Sequence, residues 1–127
     1  MKIPSTHQAV MPYLILNDAP AFIEFTKQVF TIQSLFTKYR EDDKTIMHGE
    51  IRINGCTIMF ADSTENYPAA NANLFIYVEN ADDTFAKALK NGATIINDLA
   101  DMEYGRSGGI KDPFGNIWWI TANIKST

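Results

Sequence analysis

Two stretches of the chain, LILNDAPAFIEF from Leu14 and IYVENADDTFAK from Ile76, share one pattern at an offset of 62 residues. Each begins as a short apolar run, passes through Asn or Asp residues able to cap a helix, and continues with apolar residues at helical spacing. Two hairpin sequences, INGCTIMF from Ile53 and PFGNIWWI from Pro113, repeat at an offset of 60, with Gly55 over Gly115. A chain that restates one order of elements is constrained to two copies of a single supersecondary unit. A sheet with a helix on one face needs cover for the other. The expectation is that the twin supplies it, leaving a cleft between two curved sheets.

The elements follow from period and punctuation. The first module, about residues 8–65, opens with a strand at 12–16. Asn17, Asp18 and Pro20 then stand where a cap and first helical turn belong. The helix runs to about Phe30, with Phe22, Phe25 and Val29 as its apolar stripe, backed by Ile23 and Phe30. Strands at 35–40, 45–53 and 56–61 follow, the last two joined by an Asn54-Gly55 turn. The second module, about residues 71–124, repeats this with a strand at 74–78, a cap within Glu79-Asn80-Ala81-Asp82 and a helix at 83–91 stopped by Gly92. Its remaining strands fall at 93–96, 108–111 and 116–122. The fold class is therefore α+β, two tandem βαβββ modules whose mixed sheets enclose a cleft, within one domain of 127 residues.

Composition narrows the partners. The formal charge of −4 is scattered, and no cluster of Lys or Arg is present to neutralise phosphates. Nucleic acid and anionic membranes are poor partners, which leaves a small organic molecule. Cys56 is the one cysteine, so there is no internal disulfide, as suits a reducing cytoplasm. The start MKIPSTHQAV lacks the apolar run of a signal peptide, and no stretch reaches membrane-spanning length, so a cytoplasmic protein is expected. Gly-rich phosphate loops, Ser-centred elbows and Cys-x-x-Cys pairs are absent, which removes nucleotide-dependent and simple hydrolase readings.

The segment DPFGNIWWITA, from Asp112, joins a specific turn to a strand. Pro113 presets φ for a type I turn, Asp112 can bond the backbone ahead, and Gly115 tolerates positive φ at the exit. Adjacent strand residues point to opposite faces, so Trp118 and Trp119 occupy different environments.

With this order in hand, IMHGEIRINGCTIMFAD and GGIKDPFGNIWWI carry a resemblance. The chain resembles, over almost its whole length, the vicinal oxygen chelate superfamily of glyoxalase I, extradiol dioxygenases and bleomycin resistance proteins, and within it the PhnB-like branch. Metal enzymes of that superfamily hold one divalent ion with four side chains from the first and last strands of each module. The resemblance places those positions at Met11, Met59, Asn73 and Trp119. Divalent ions in such sites want carboxylate oxygen or imidazole nitrogen, so no metal and no other cofactor is expected. The same register turns Trp119 to the cleft and Trp118 to the helix layer. Met11, Tyr13, Met59, Asn73, Phe75, Tyr77 and Trp119 would line the cleft, while Leu14, Leu16, Ile58, Phe60, Leu74, Ile76 and Val78 pack beneath the helices. Such an aromatic, Met-lined surface suits a planar or apolar ligand, or a cation over ring faces. The rival is that these side chains fill the gap between modules. Members of the family usually associate in pairs, so the resemblance also implies a homodimer.

Several residues bear on chemistry. His48, Glu50 and Arg52 alternate with apolar neighbours and share one strand face. A His and a carboxylate two apart can act as base and orienter if enclosed, or form a structural ion pair at a solvated face. Tyr104 and Arg106 fall in the loop MEYGRSGG, whose glycines allow it to fold as a lid, with Arg106 able to clamp a ligand carboxylate or phosphate. Asp62, at a strand end, reads as a cap rather than a base. Cys56 has no His beside it to make it a nucleophile. His7 lies in an arm ahead of the first strand and suggests no role. The leading expectation is a small-molecule binding protein of the PhnB-like, bleomycin-resistance-like kind. The alternative is a lyase, isomerase or dioxygenase, with displaced metal or acid/base chemistry from His48 and Glu50. A structural or regulatory partner with a filled cleft is the third.

Overall fold

The computed structural model describes residues 1–123, and the chain divides into two compact units between Asn71 and Ala72. The first contains β1 (Tyr13–Leu16), α1 (Ala19–Val29), β2 (Ile32–Tyr39), β3 (Ile46–Ile53) and β4 (Cys56–Asp62). Its sheet order is β1-β4-β3-β2, with β1 parallel to β4 and the remaining pairs antiparallel. The second contains β5 (Asn73–Tyr77), α2 (Ala81–Lys90), β6 (Thr94–Met102), β7 (Gly105–Lys111) and β8 (Ile117–Ala122), in the corresponding order β5-β8-β7-β6. The repeat read from sequence is thus two four-stranded mixed sheets, each with one helix.

Local chemistry explains where each helix begins. Asp18 Oδ1 accepts from the Ala21 amide at 3.1 Å, and Pro20 occupies the first turn, where its missing N–H costs nothing. Asp62, buried at the end of β4, accepts from the Ala19 amide at 2.7 Å and from the Ile46 amide at 2.6 Å. That strand-end carboxylate is the structural cap its position suggests. Asn80 caps α2 through the Asp83 amide, and Gly92 leaves the helix with φ of 102°.

Each core lies between helix and sheet. In the first unit Phe22, Phe25 and Val29 of α1 are buried with Leu14, Leu16, Ile51, Ile58 and Phe60, and the Phe22 and Phe60 rings meet edge to face at 5.3 Å. In the second, Phe85 and Ala88 of α2 are buried with Ile76, Ile110, Trp118 and Ile120.

The DPFGN turn is tied by one carboxylate. Asp112 Oδ1 accepts from the Phe114 and Asn116 amides, each at 2.9 Å, and Oδ2 accepts from Asn116 Nδ2 at 3.0 Å and Trp118 Nε1 at 2.8 Å. Trp118 is thereby fixed in the helix-side core with its one polar atom satisfied. Both residues of the Asn54-Gly55 turn have positive φ, 48° and 82°, as a type I′ hairpin requires.

Two departures from the sequence expectation matter. First, β6 runs from Thr94 to Met102, well beyond the expected 93–96. It is an edge strand pairing with β7 alone, exposed along nearly all its length. Solvated on both faces, it needs no apolar alternation, so TIINDLADM carries none. Second, β7 begins at Gly105, so only Glu103 and Tyr104 lie between strands. The segment expected as a lid is instead a tight hairpin, and Arg106 is a strand residue. In the first unit, β2 also starts earlier than the expected 35, its alternation blurred by register shifts at Ser34/Phe36 and Lys38/Tyr39.

Candidate functional site

On the sheet face opposite α1, cross-strand pairing sets Tyr13 beside Met59, Met59 beside Glu50, and Glu50 beside Phe36. The adjacent pair on this face is His48 with Lys38. Pleating alone therefore gathers a phenol, an imidazole, a carboxylate and an ammonium on one side of the sheet. Their side chains form a continuous network. Tyr13 Oη lies 2.9 Å from His48 Nδ1, His48 Nε2 lies 2.8 Å from Glu50 Oε2, and Glu50 Oε1 lies 2.8 Å from His7 Nε2.

His7 had no apparent role in sequence, and the structure corrects this. The segment ahead of β1 is laid against the sheet: Gln8 exchanges two hydrogen bonds with the backbone of Thr57, and the Thr6 carbonyl accepts from Arg52 Nη1 at 2.9 Å and from the Thr57 hydroxyl. These bonds deliver His7 to Glu50, 43 positions away. No local pattern reports such a long-range partner.

The donors and acceptors can be assigned from charge. Burial pushes the Glu50 carboxyl up, but the hydrogen bonds and charges of His7 and His48 together outweigh it and hold the group below its ordinary value. An ionised carboxylate only accepts, so both imidazoles donate Nε2–H to it. The other ring nitrogen of His48, Nδ1, is hydrogen-bonded to the Tyr13 hydroxyl. The phenol pKa is raised, chiefly by burial and further by Glu50, with the Arg40 guanidinium opposing both. The His48 ring is flanked by Tyr13 at 5.6 Å and Phe36 at 5.9 Å. Tyr13 and Phe36 are each about half exposed, so this polar chain is reachable from solvent.

The second unit presents a different surface. Trp119 donates its indole N–H to Asn73 Oδ1 at 3.1 Å and lies over Gly109, where a Cβ would stand 2.5 Å from the ring. Phe75 meets Tyr77 edge to face at 5.2 Å and Tyr104 at 6.3 Å, and all three remain about half exposed. Phe75 is paired with Trp119 across β5 and β8, and its ring meets those of Tyr77 and Tyr104. Arg106 is not among them. Its guanidinium grips Asp82 through two bonds of 2.8 and 2.9 Å and reaches Asp101 at 3.1 Å. Hydrogen bonding to Asp82, then to Asp101, raises its pKa, and Asp82 is lowered in turn. These residues, with Glu79 and Asn80, line a shallow depression of about 320 Å³.

The chain matches the family model of the glyoxalase/bleomycin resistance protein/dioxygenase superfamily over residues 7–120. It belongs to that superfamily. An uncharacterized protein of Mycobacterium bovis, Mb0911c, is 31% identical over 129 residues, which cover 92% of this chain and 84% of the relative. A Bacillus cereus PhnB protein shares the fold with a TM-score of 0.71 at 19% identity, covering 91% of this chain and 99% of that one. The bleomycin-binding protein of Streptomyces verticillus, solved with copper(II)-bleomycin, superposes with a TM-score of 0.64 at 17% identity, covering 98% and 99%.

The superfamily's metal can be tested against the side chains that the register puts at its positions. Met11 and Met59 offer thioethers, Trp119 an indole N–H, and Asn73 an amide oxygen that already accepts from Trp119. Neither thioether nor indole replaces imidazole or carboxylate for a hard divalent ion. The positions do not fit the group. Among the described residues no three His, Cys, Asp or Glu side chains are placed to hold a metal ion. None of the described helices is long and apolar enough to cross a membrane.

Proposed function

We propose that this chain binds a small, flat organic molecule against its aromatic sheet faces, without the metal used by the superfamily's enzymes. The observation that carries the reading is the ring cluster of the second unit. Phe75 meets both Tyr77 and Tyr104, yet each of the three keeps about half its surface exposed. Contiguous exposed aromatic surface is unfavourable unless something covers it, and rings grouped edge to face present π surfaces on which a planar ligand can stack. Met11, Tyr13 and Met59 would serve the same purpose in the first unit, with Asn73 orienting Trp119. Superfamily membership supports the reading, since a bleomycin-binding protein shares the fold. Arg106 contributes to such a site only if a ligand anion displaces Asp82.

The test is a chemically broad panel of aromatic and heteroaromatic compounds, screened by thermal shift and by intrinsic fluorescence. A ligand that raises Tm and perturbs fluorescence, with both effects lost in Phe75→Ala/Tyr77→Ala, supports the reading. A panel that leaves Tm unmoved, for a ligand that must stabilise the state it binds, contradicts it. The same exposed rings favour a second reading, covered pairing of two copies. Sedimentation at twice the 14.3 kDa chain mass would support it.

A further inference from the structure

We propose that the ring surface of the second unit takes a planar aromatic carboxylate, stacked on Trp119 and held at its carboxylate by the side-chain amide of Asn73. The proposal rests on the reading of these rings as a ligand surface, and deepens it by naming the group the ligand must carry.

Trp119 supplies the platform. It is paired with Gly109 across β8 and β7. A Cβ on Gly109 would stand 2.5 Å from the indole Cζ3, 2.7 Å from Cε3 and 3.3 Å from Cη2. Because glycine has no Cβ, the six-membered ring can lie down on the sheet, with one face against the glycine backbone and the other turned away from it. Phe75 is paired with Trp119 on the opposite side, across β5 and β8. A flat ligand laid on the outer face of the indole therefore has a second aromatic residue next to it.

Asn73 decides the chemistry at the rim. An indole N–H can only donate, so the Asn73 oxygen is the atom that meets it, 3.1 Å away. That bond fixes which way the amide faces, with no tautomer or charge state left to choose. The two N–H groups of Nδ2 lie on the other branch of the amide, and among the described residues they meet no acceptor. Asn73 is exposed, so both donors are open to a ligand beside the indole.

The row of residues that contains Asn73 adds positive charge. Asn73 is paired with Ile117, Ile117 with Lys111, and Lys111 with Thr94. Ile117 and Trp119 alternate onto one face of β8, so this row runs beside Trp119 on the same side of the sheet, and Lys111 is its one charged residue. Lys111 is exposed and forms no ion pair among the described residues. Amide donors and an ammonium favour an anionic acceptor and disfavour a cation, which bare ring faces alone would accept. A carboxylate conjugated to an aromatic ring lies close to the ring plane, so it can reach the rim while the ring stays stacked.

The experiment compares 2-naphthoate with 2-naphthylmethylammonium, which share a ring system and differ in the charge at its edge, by ligand-observed NMR titration of the full chain. Wild-type protein is expected to hold naphthoate about 10-fold more tightly, the low end for a hydrogen bond to a charged group. Asn73→Leu should remove most of that preference. Asn73→Asp still accepts from the indole but offers no donor, and should reverse it. Circular dichroism and Tm near the wild-type values show that both variants keep the fold. Equal binding of the two probes, or a naphthoate preference that survives in full in Asn73→Leu, overturns the proposal and leaves the ring surface as a ligand site. Binding of neither probe overturns the proposal together with the reading of the second unit on which it rests.

Discussion

Replacing Asp112 by Ala removes a carboxylate that holds three buried donors and one part-buried donor in the second unit. The buried donors are the Asn116 amide, Asn116 Nδ2 and Trp118 Nε1, and Asp112, Asn116 and Trp118 are each at most 4% exposed. Each buried donor left without a partner costs about 1–3 kcal/mol. Water admitted beside the partly exposed Phe114 can serve some of them, so the low end applies and the sum is about 3–5 kcal/mol. That is a large share of the ~5–15 kcal/mol that holds a typical domain together. The assay is equilibrium urea unfolding read by tryptophan fluorescence and circular dichroism. The expected result is a markedly lower midpoint with an unchanged slope, since the surface exposed on unfolding stays the same. Asp112→Asn, which keeps one acceptor oxygen, should fall between the two. A loss below about 1 kcal/mol for Asp112→Ala would refute the reasoning, because the donors would then have adequate partners without the carboxylate.

Other outcomes follow from the same structure. Asn80→Ala removes the side-chain acceptor for the Asp83 amide at the start of α2, and should lower stability by about 1 kcal/mol in the same titration. Gly109→Ala sets a methyl group against the Trp119 ring; overpacking of this kind costs about 1–3 kcal/mol, and the fluorescence maximum should move as the indole shifts. Glu50 titrates below its ordinary value when folded. Its stabilising contribution is therefore complete above the unfolded-state pKa and disappears as pH falls through the lower folded-state value. The Tm gap between wild type and Glu50→Gln should accordingly narrow over that acidic range, and a gap that widens there would contradict the assignment.

The fold was legible because its signals are local. Asn54-Gly55, Asp112-Pro113 and the caps at Asp18 and Asn80 act within a few residues, and the apolar stripes of both helices follow period. β6 was illegible beyond its first residues because a solvated edge strand has no apolar alternation to read. The same extension hid the hairpin at Glu103 and Tyr104, where the glycines of MEYGRSGG suggested a lid. The pairing of His48 with Glu50 was visible as alternation on one strand. His7 and Tyr13 join that pair from elements 43 and 35 positions away, and Arg106 meets Asp82 across 24. Such partners are fixed by tertiary placement and leave no mark in spacing.

We propose that this chain binds its ligand without the superfamily's metal. Elemental analysis by mass spectrometry tests it directly, on untagged protein before and after incubation with Zn, Ni, Mn and Fe salts followed by desalting. Since thioether, indole and an occupied amide do not form a tight divalent site, retained metal should stay below about a tenth of an equivalent per chain. Retention of about one equivalent, as a dedicated four-ligand site would give, would contradict the account.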